Sequence, residues 1–407
     1  MNEINPVYAP YGAQFSAIPQ EALLATVVKK NKLFIGIPRE RSFQENRVPL
    51  TPEAVELLVN RGHRILIEAG AGEKSFFYDR EYSEAGAEIA YDVRQVFESD
   101  IILKSAPITE EQLDLLKVQQ TVFSPIHLPT LKDEILYRLI NKKVTALAYE
   151  YIKDESGNFP IVRALSEIAG NAAILIGAEY LSNLNNGPGI LMGGISGVPP
   201  ARVVILGAGV VGEFATRAAL GLGAEVRVFD NNIYKLMRLQ NNVNVRVYTS
   251  VINPLTLEHE LSKADLAIGA IHSEKGQTPI LVTESMVQKM KPGAVIVDIS
   301  IDQGGCFETS EITTHDKPVF LKHDVIHYCV PNIASRVSKT ASLALSHVLT
   351  PMLLKTHEYG GFENLLRNSS GVRNGAYIYK GHLTNQHMSE RFNIRYTDLN
   401  LLIAATI

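Results

Sequence analysis

Residues 202–230 read RVVILGAGVVGEFATRAALGLGAEVRVFD, and the order of residue types in that stretch decides the fold. An apolar run, Val203–Leu206, breaks into Gly207-Ala208-Gly209-Val210-Val211-Gly212. It continues as a helix-compatible stretch, Glu213–Leu222, and returns through a second apolar run, Val226–Phe229, to Asp230. Strand, glycine turn, helix, strand and acid in that register predict a nucleotide-binding unit. Gly207 permits the tight turn, Gly209 lets the backbone approach a pyrophosphate, and Gly212 lets helix and strand pack closely. The pyrophosphate would sit on the unpaired amides at the helix N-terminus. Asp230, about twenty residues on, is placed to accept hydrogen bonds from the adenosine ribose and to repel a 2′-phosphate, so the expected cofactor is NAD rather than NADP. Asn231 and Asn232 add no charge to reverse that.

With 407 residues the chain is long for one core, and two domains are expected. A hydrophobic content of 46% and a charged content of 20% describe an ordinary soluble globular protein. The net charge of −4 offers no basic footprint, so neither nucleic acid nor a membrane is an expected partner. Cys306 and Cys329 are the only cysteines, too far apart for a zinc pattern or a disulfide framework; no metal is expected, and a reducing cytoplasm is the simplest setting. The N-terminus lacks the basic start and apolar core of a secretory signal, and no stretch supplies the roughly eighteen uninterrupted apolar residues of a spanning helix. Residues 1–32 stand apart as an extension, with a short helical pattern at Gln20–Lys30.

From Leu33 the chain alternates strands and helices. Strands are expected at Leu33–Ile37, Arg64–Glu68, Ile101–Leu103, Thr121–Phe123 and Val144–Ala148, then after the glycine turn at Leu266–Ile271 and Ala294–Ile299. A helix should begin with Thr51 as N-cap and Pro52 as its first residue, and end at Gly62. Others are expected at Leu131–Asn141, around Ala164–Asn183 and within Ile333–Thr356. The pattern predicts an α/β protein of two Rossmann-like, doubly wound parallel-sheet domains with a cleft between them. A nucleotide domain, 161–339, would be inserted into a substrate domain formed by 33–160 and 340–407, with Tyr377–Gly381 returning to the first lobe; the apolar tail Leu401–Ile407 would want burial, as in an oligomer.

Ligands of open parallel sheets bind beyond the carboxyl ends of the strands. Four polar residues follow expected strands: Arg47, Lys104, His127 and Asp302. Any one of them alone could be a surface charge or a turn residue; four at strand ends around one cleft make a candidate site.

Seven segments, in order, resemble those of the bacterial alanine dehydrogenases, and the related alpha subunit of proton-translocating nicotinamide nucleotide transhydrogenase shares several of them. They are GIPRERSFQENRVPLTP, ILKSAP, SPIHLP, LSEIAG, GILMGGISGV, GAGVVG with Asp230, and VDISIDQGGCFE. The resemblance runs from about Leu33 into the C-terminal tail. It implies that Arg47 and Lys104 hold the substrate carboxylate and carbonyl and that His127 and Asp302 form the catalytic pair. It further implies that Ser166, Gly207, Gly209, Val210, Val211, Gly212 and Asp230 bind the nucleotide, with Asn332 near the nicotinamide. The implied reaction is oxidative deamination of L-alanine by NAD to pyruvate and ammonium, in a homohexamer. Two segments depart from the pattern: Lys104-Ser105-Ala106-Pro107 stands where the family commonly reads Lys-Val-Lys-Glu-Pro, and Ala334–Ser338 replaces a proline-containing run. A dehydrogenase of another amino or imino acid, a transhydrogenase-like hydride carrier and a non-catalytic NAD-binding protein are the alternatives.

Overall fold

The computed structural model describes residues 32–42, 44–128, 131–273 and 276–405. The helical pattern at Gln20–Lys30 lies outside the described residues. Six parallel strands open the chain: β1 (Phe34–Ile37), β2 (Arg64–Glu68), β3 (Glu88–Ala90), β4 (Ile101–Leu103), β5 (Thr121–Ser124) and β6 (Thr145–Ala148). Seven more follow: β7 (Arg202–Leu206), β8 (Glu225–Phe229), β9 (Tyr248–Ser250), β10 (Leu266–Gly269), β11 (Val295–Asp298), β12 (Val319–Lys322) and β13 (Val325–Tyr328). Then β14 (Ala376–Tyr379) and β15 (His382–Leu383) rejoin the first sheet, β14 antiparallel to β6.

The two sheets run β15-β14-β6-β5-β4-β1-β2-β3 and β12-β13-β11-β10-β7-β8-β9. In each, the strand order reverses beside the first strand, between β1 and β4 and between β7 and β10. That is the doubly wound order, and its crevice lies at the reversal. The central strands read as unbroken apolar runs because helices cover both faces; Val203, Val204, Ile205 and Leu206 are all fully buried. The edge strands β3, β9, β12 and β15 are short, polar or exposed, and carry no periodic signal.

Two helices hold the lobes against each other. The helix Pro160–Leu181 begins four residues before its expected start, with proline in the first turn. By length and composition it could cross a membrane. Here Ala169, Ala173, Ile174, Ile176 and Leu181 enter the core of the second lobe. It packs on the helix Val210–Gly221, and Gly170 permits the contact, since a Cβ there would lie 2.4 Å from the Val211 carbonyl oxygen. The helix Ser338–Glu358 crosses back and buries Leu345, Leu349 and Leu353 in the core of the first lobe.

That second helix changes one expected detail. Thr51 stands in the N-cap position of the helix Pro52–Asn60, but its side chain makes no cap hydrogen bond. Its hydroxyl lies 3.2 Å from Ser346 Oγ instead, because a row of hydroxyls passes there. Ser335, Ser342 and Ser346 accept the backbone amides of Asn46, Val48 and Thr51 at 2.8, 2.9 and 3.2 Å. The loop carrying Arg47 is thus stitched to the C-terminal part of the chain. In the tail, the helix Leu399–Ala404 buries Leu399 and Ile403 and turns Leu401, 69% exposed, outward; residues 406–407 lie outside the described residues.

Candidate functional site

The glycine turn is built as its residue types require. Gly207 has φ +112°, and a Cβ there would meet the Ala270 carbonyl at 2.4 Å. At Gly212 a Cβ would lie 1.8 Å from the Gly207 carbonyl oxygen, so the helix Val210–Gly221 reaches this close to the strand only without a side chain. Gly209 differs: a Cβ would meet nothing within 4 Å, because that face opens into the space between the lobes. Asp230 closes the turn as well as facing it. Its Oδ2 accepts the Ala208 amide and its Oδ1 the Asn232 amide, each at 2.7 Å.

Between the lobes lies a cleft of about 450 Å³. The first lobe lines it with Arg47, His127 and Glu150, the connecting helix with Ser166, and the second lobe with Gly209, Val210, Val211, Asp302 and Asn332. Gly207, Gly212 and Asp230 stand behind this surface and shape it. The nucleotide turn and the first-lobe ionisable residues therefore face one space.

Arg47 reaches the cleft with a fixed partner. Glu45 receives its Nε at 2.7 Å and Nη2 at 2.6 Å, and both residues are buried. Burial alone would raise the Glu45 carboxyl; the charge and hydrogen bonds of Arg47, with the Asn332 amide, override it and hold the group below the usual carboxylate range. The remaining terminal nitrogen, Nη1, takes no part in the Glu45 pair. Asn332, in the left-handed region at φ +55°, spans the lobes: its Nδ2 donates to Glu45 at 3.1 Å and its backbone amide to Asp302 at 3.1 Å.

Lys104, expected to hold a substrate carbonyl, is paired with a carboxylate where it stands. Its side chain is 0% exposed, and Nζ lies 2.5 Å from Glu40 Oε2. Glu40 Oε1 meanwhile accepts the amides of Ser105 and Ala106 at 2.7 and 3.0 Å. An ammonium taken fully out of water needs such a counter-charge. Glu40 thereby fixes the loop after β4 together with Lys104.

His127 follows β5 in a left-handed conformation, φ +46°, which an L-residue adopts only under local constraint. The constraint is Glu150, two residues beyond β6, whose Oε1 accepts the amides of Ile126 at 2.7 Å and His127 at 3.3 Å. Asp302 rides on the short helix Ile299–Gln303 after β11. Its carboxyl opens into the cleft, yet the walls around it displace enough water to push its pKa up, against the pull of the Asn332 amide and of the charges on His127 and Arg47. Asp298 holds this segment in shape by accepting Ser300 N at 3.0 Å, Cys306 N at 2.9 Å and Ser310 Oγ at 2.7 Å.

Sequence reasoning missed Glu45, Glu150, Lys235 and His272, the last two lining the nucleotide side of the cleft. Glu150 follows a correctly expected strand, so asking of every strand end what was asked of four would have found it. Glu45 carries only the weak signal of an acid two residues from Arg47.

Comparison with known proteins bears on the whole arrangement. Residues 36–169 match the model of the alanine dehydrogenase/PNT N-terminal domain and residues 173–386 that of the C-terminal domain. The sequence is 41% identical over 363 residues to alanine dehydrogenase 2 of Staphylococcus aureus (strain USA300), covering 89% of this chain and 97% of that one. Among solved structures it resembles an L-alanine dehydrogenase with a TM-score of 0.83 and 35% identity, over 88% of this chain and 99% of that one. A transhydrogenase from Sinorhizobium meliloti shares the fold, with a TM-score of 0.73 and 24% identity over 86% and 98% of the two chains.

Proposed function

The chain belongs to the alanine dehydrogenase/PNT family, and from that premise we propose that it catalyses the reversible oxidative deamination of L-alanine to pyruvate and ammonium with NAD. The observation that carries the reading is the shared cleft, in which the nucleotide turn of one lobe faces Arg47 and His127 of the other and Asp302 lies beside the turn. The residues present fit NAD. Gly209 leaves its side-chain volume empty toward the cleft, the helix Val210–Gly221 points its N-terminus there, and Asp230 at the turn disfavours a 2′-phosphate. Ser166, Val210, Val211 and Asn332 line the remaining path. When bound, NAD supplies the hydride acceptor.

The protein residues supply position and proton movement. Arg47, held rigid by Glu45, binds the substrate carboxylate through its uncommitted guanidinium edge. An amine cannot give up hydride from its Cα while protonated, so His127 removes that proton; imidazole is suited to acid–base work near neutral pH. Water then adds to the iminium carbon, and Asp302, kept basic by its dehydrated surroundings, takes the proton of that water.

One observation favours a second reading. With Lys104 paired to Glu40, the substrate end of the cleft lacks a lysine, which suits a different amino acid or imino acid. Purified protein should reduce NAD in the presence of L-alanine, followed as NADH absorbance across a panel of amino acids. Turnover with another amino acid and none with alanine would favour the second reading, and no turnover with any would refute both.

A homo-oligomer and a cytoplasmic setting belong to the same proposal. The segment 190–198 exposes Leu191, Ile195 and Val198 at 66%, 67% and 54%, an apolar surface suited to a second copy. Cys306 and Cys329 are both buried free thiols, as in a reducing compartment.

A further inference from the structure

The turn that follows β13 is fastened at both ends to one residue. Asn332 Nδ2 donates to Glu45 Oε2 at 3.1 Å, and Ser335 Oγ donates to Glu45 Oε1 at 3.5 Å. The Ser335 amide closes the turn onto the Asn332 carbonyl at 2.9 Å, and Ser335 Oγ also accepts the Asn46 amide at 2.8 Å. Glu45 in turn grips Arg47 through two nitrogens. Ile333 and Ala334, at the tip of the turn, are therefore carried at a fixed place on the Arg47 side, and both line the cleft.

The two tip side chains have different surroundings. Ile333 shares the apolar core of the second lobe with Ile326, Tyr328 and Val330. Ala334 belongs to no apolar core among the described residues, yet it lines the cleft and keeps 5% of its surface exposed. Its methyl group is wall of the cleft and not filling of a core. The helix Pro160–Leu181, on which the turn packs, lays Ile161, Leu165 and Ala169 along the same cleft at a spacing of four, one face of a helix. That stripe starts beside Arg47: Ile161 shares a core with Tyr149, whose hydroxyl donates to the Ser105 carbonyl at 2.9 Å, the same oxygen that Arg47 Nη2 approaches at 3.5 Å.

An α-amino acid presents four groups from its Cα, and the polar residues of the cleft account for three of them. Arg47 takes the carboxylate, His127 works on the nitrogen, and the hydrogen faces the nucleotide turn. The side chain is left with the apolar surface. A charged side chain there would lose its water without gaining a counter-charge, so an aliphatic one is the complement. We propose that Ala334 is the end wall of the subsite for the substrate side chain, and that its size sets the longest aliphatic chain the enzyme accepts. The assignment adds no chemical step. It rests on the alanine dehydrogenase reading, and its test separates the two.

Ala334→Val brings two further methyl groups into that space, and Ala334→Gly removes the one present. The quantity to read is kcat/KM for L-2-aminobutyrate divided by kcat/KM for L-alanine, with NAD in both cases. One methylene in an apolar pocket is worth roughly 10–200-fold, so Ala334→Val should lower the ratio at least tenfold. Ala334→Gly should raise it roughly threefold or more, and should create 2-aminobutyrate turnover where the parent has none. The Kd for NADH, by fluorescence titration, should stay within about twofold of the parent in both variants, which also shows them folded. A ratio that neither variant moves would overturn the subsite while alanine turnover by the parent keeps the function. Tenfold weaker NADH binding with equal losses for both amino acids would overturn it too, since the wall would then belong to the nicotinamide. If the parent turns over neither amino acid, the functional reading itself fails and the subsite with it.

Discussion

A lysine that follows a parallel strand at the edge of a crevice can extend into the crevice or be neutralised where it stands. Complete burial forces the second outcome for Lys104, since an unpaired ammonium in the interior costs several kcal/mol and Glu40 lies within 2.5 Å. Arg47 is also paired, but its fork has more donors than Glu45 can take, so it can serve structure and ligand together. These two residues make opposite predictions. Lys104→Gln should lower unfolding free energy by about 3 kcal/mol, because Glu40 is left without its counter-charge. In the fraction that remains folded, the KM for L-alanine should change less than about twofold. A tenfold rise in that KM without loss of stability would return Lys104 to the substrate. The sequence could show Lys104 at a strand end but not which way it turned, since the deciding partner lies 64 positions away.

At the scale of elements, the glycine turn was legible because each glycine answers to a local geometric demand. Strand, turn, helix and acid all appear as read, and Asp230 adds a use that no motif specifies, closing the turn through two backbone amides. The short edge strands were not legible, since Glu88–Ala90 and Tyr248–Ser250 span three residues each and have no period to detect. Thr51 is the N-cap as expected, while its hydroxyl, for which a local cap and a tertiary partner compete, goes to Ser346. Two substitutions separate folding from binding in the turn. Gly212→Ala should destabilise the protein by about 2 kcal/mol, because its Cβ would enter the Gly207 carbonyl. Gly209→Ala should leave thermal unfolding within a degree or two of the parent yet weaken NAD binding at least tenfold, as followed by NADH fluorescence titration. Equal loss of stability in both would mean that Gly209 faces protein and not ligand.

The whole molecule is a cleft whose two walls come from interleaved parts of the chain. Hydroxyls of the C-terminal segment tie down the Arg47 loop, and Asn332 connects Glu45 with Asp302 across the gap. The same joining of distant parts produces a pH dependence. His63, at the end of the first helix, meets His357 of the helix Ser338–Glu358 edge to face at 4.8 Å. Burial, with help from His357, lowers the His63 pKa from 6.5 to about 4. The folded protein therefore binds this proton less readily than the unfolded chain. The stability it contributes is complete above pH 6.5 and is lost as the pH falls toward 4. The melting temperature should decline across that window, and His63→Asn should remove part of the decline, roughly 2 kcal/mol at the acid end. Identical pH profiles for parent and variant would assign the decline elsewhere.

What the cleft is for is decided by where the hydride originates. L-alanine carrying deuterium at Cα, incubated with NAD and the purified protein, permits a direct mass-spectrometric answer. The account predicts NADH with one deuterium and pyruvate, formed in equal amounts. NADH formed without deuterium, or no NADH while NAD binding persists, would contradict it.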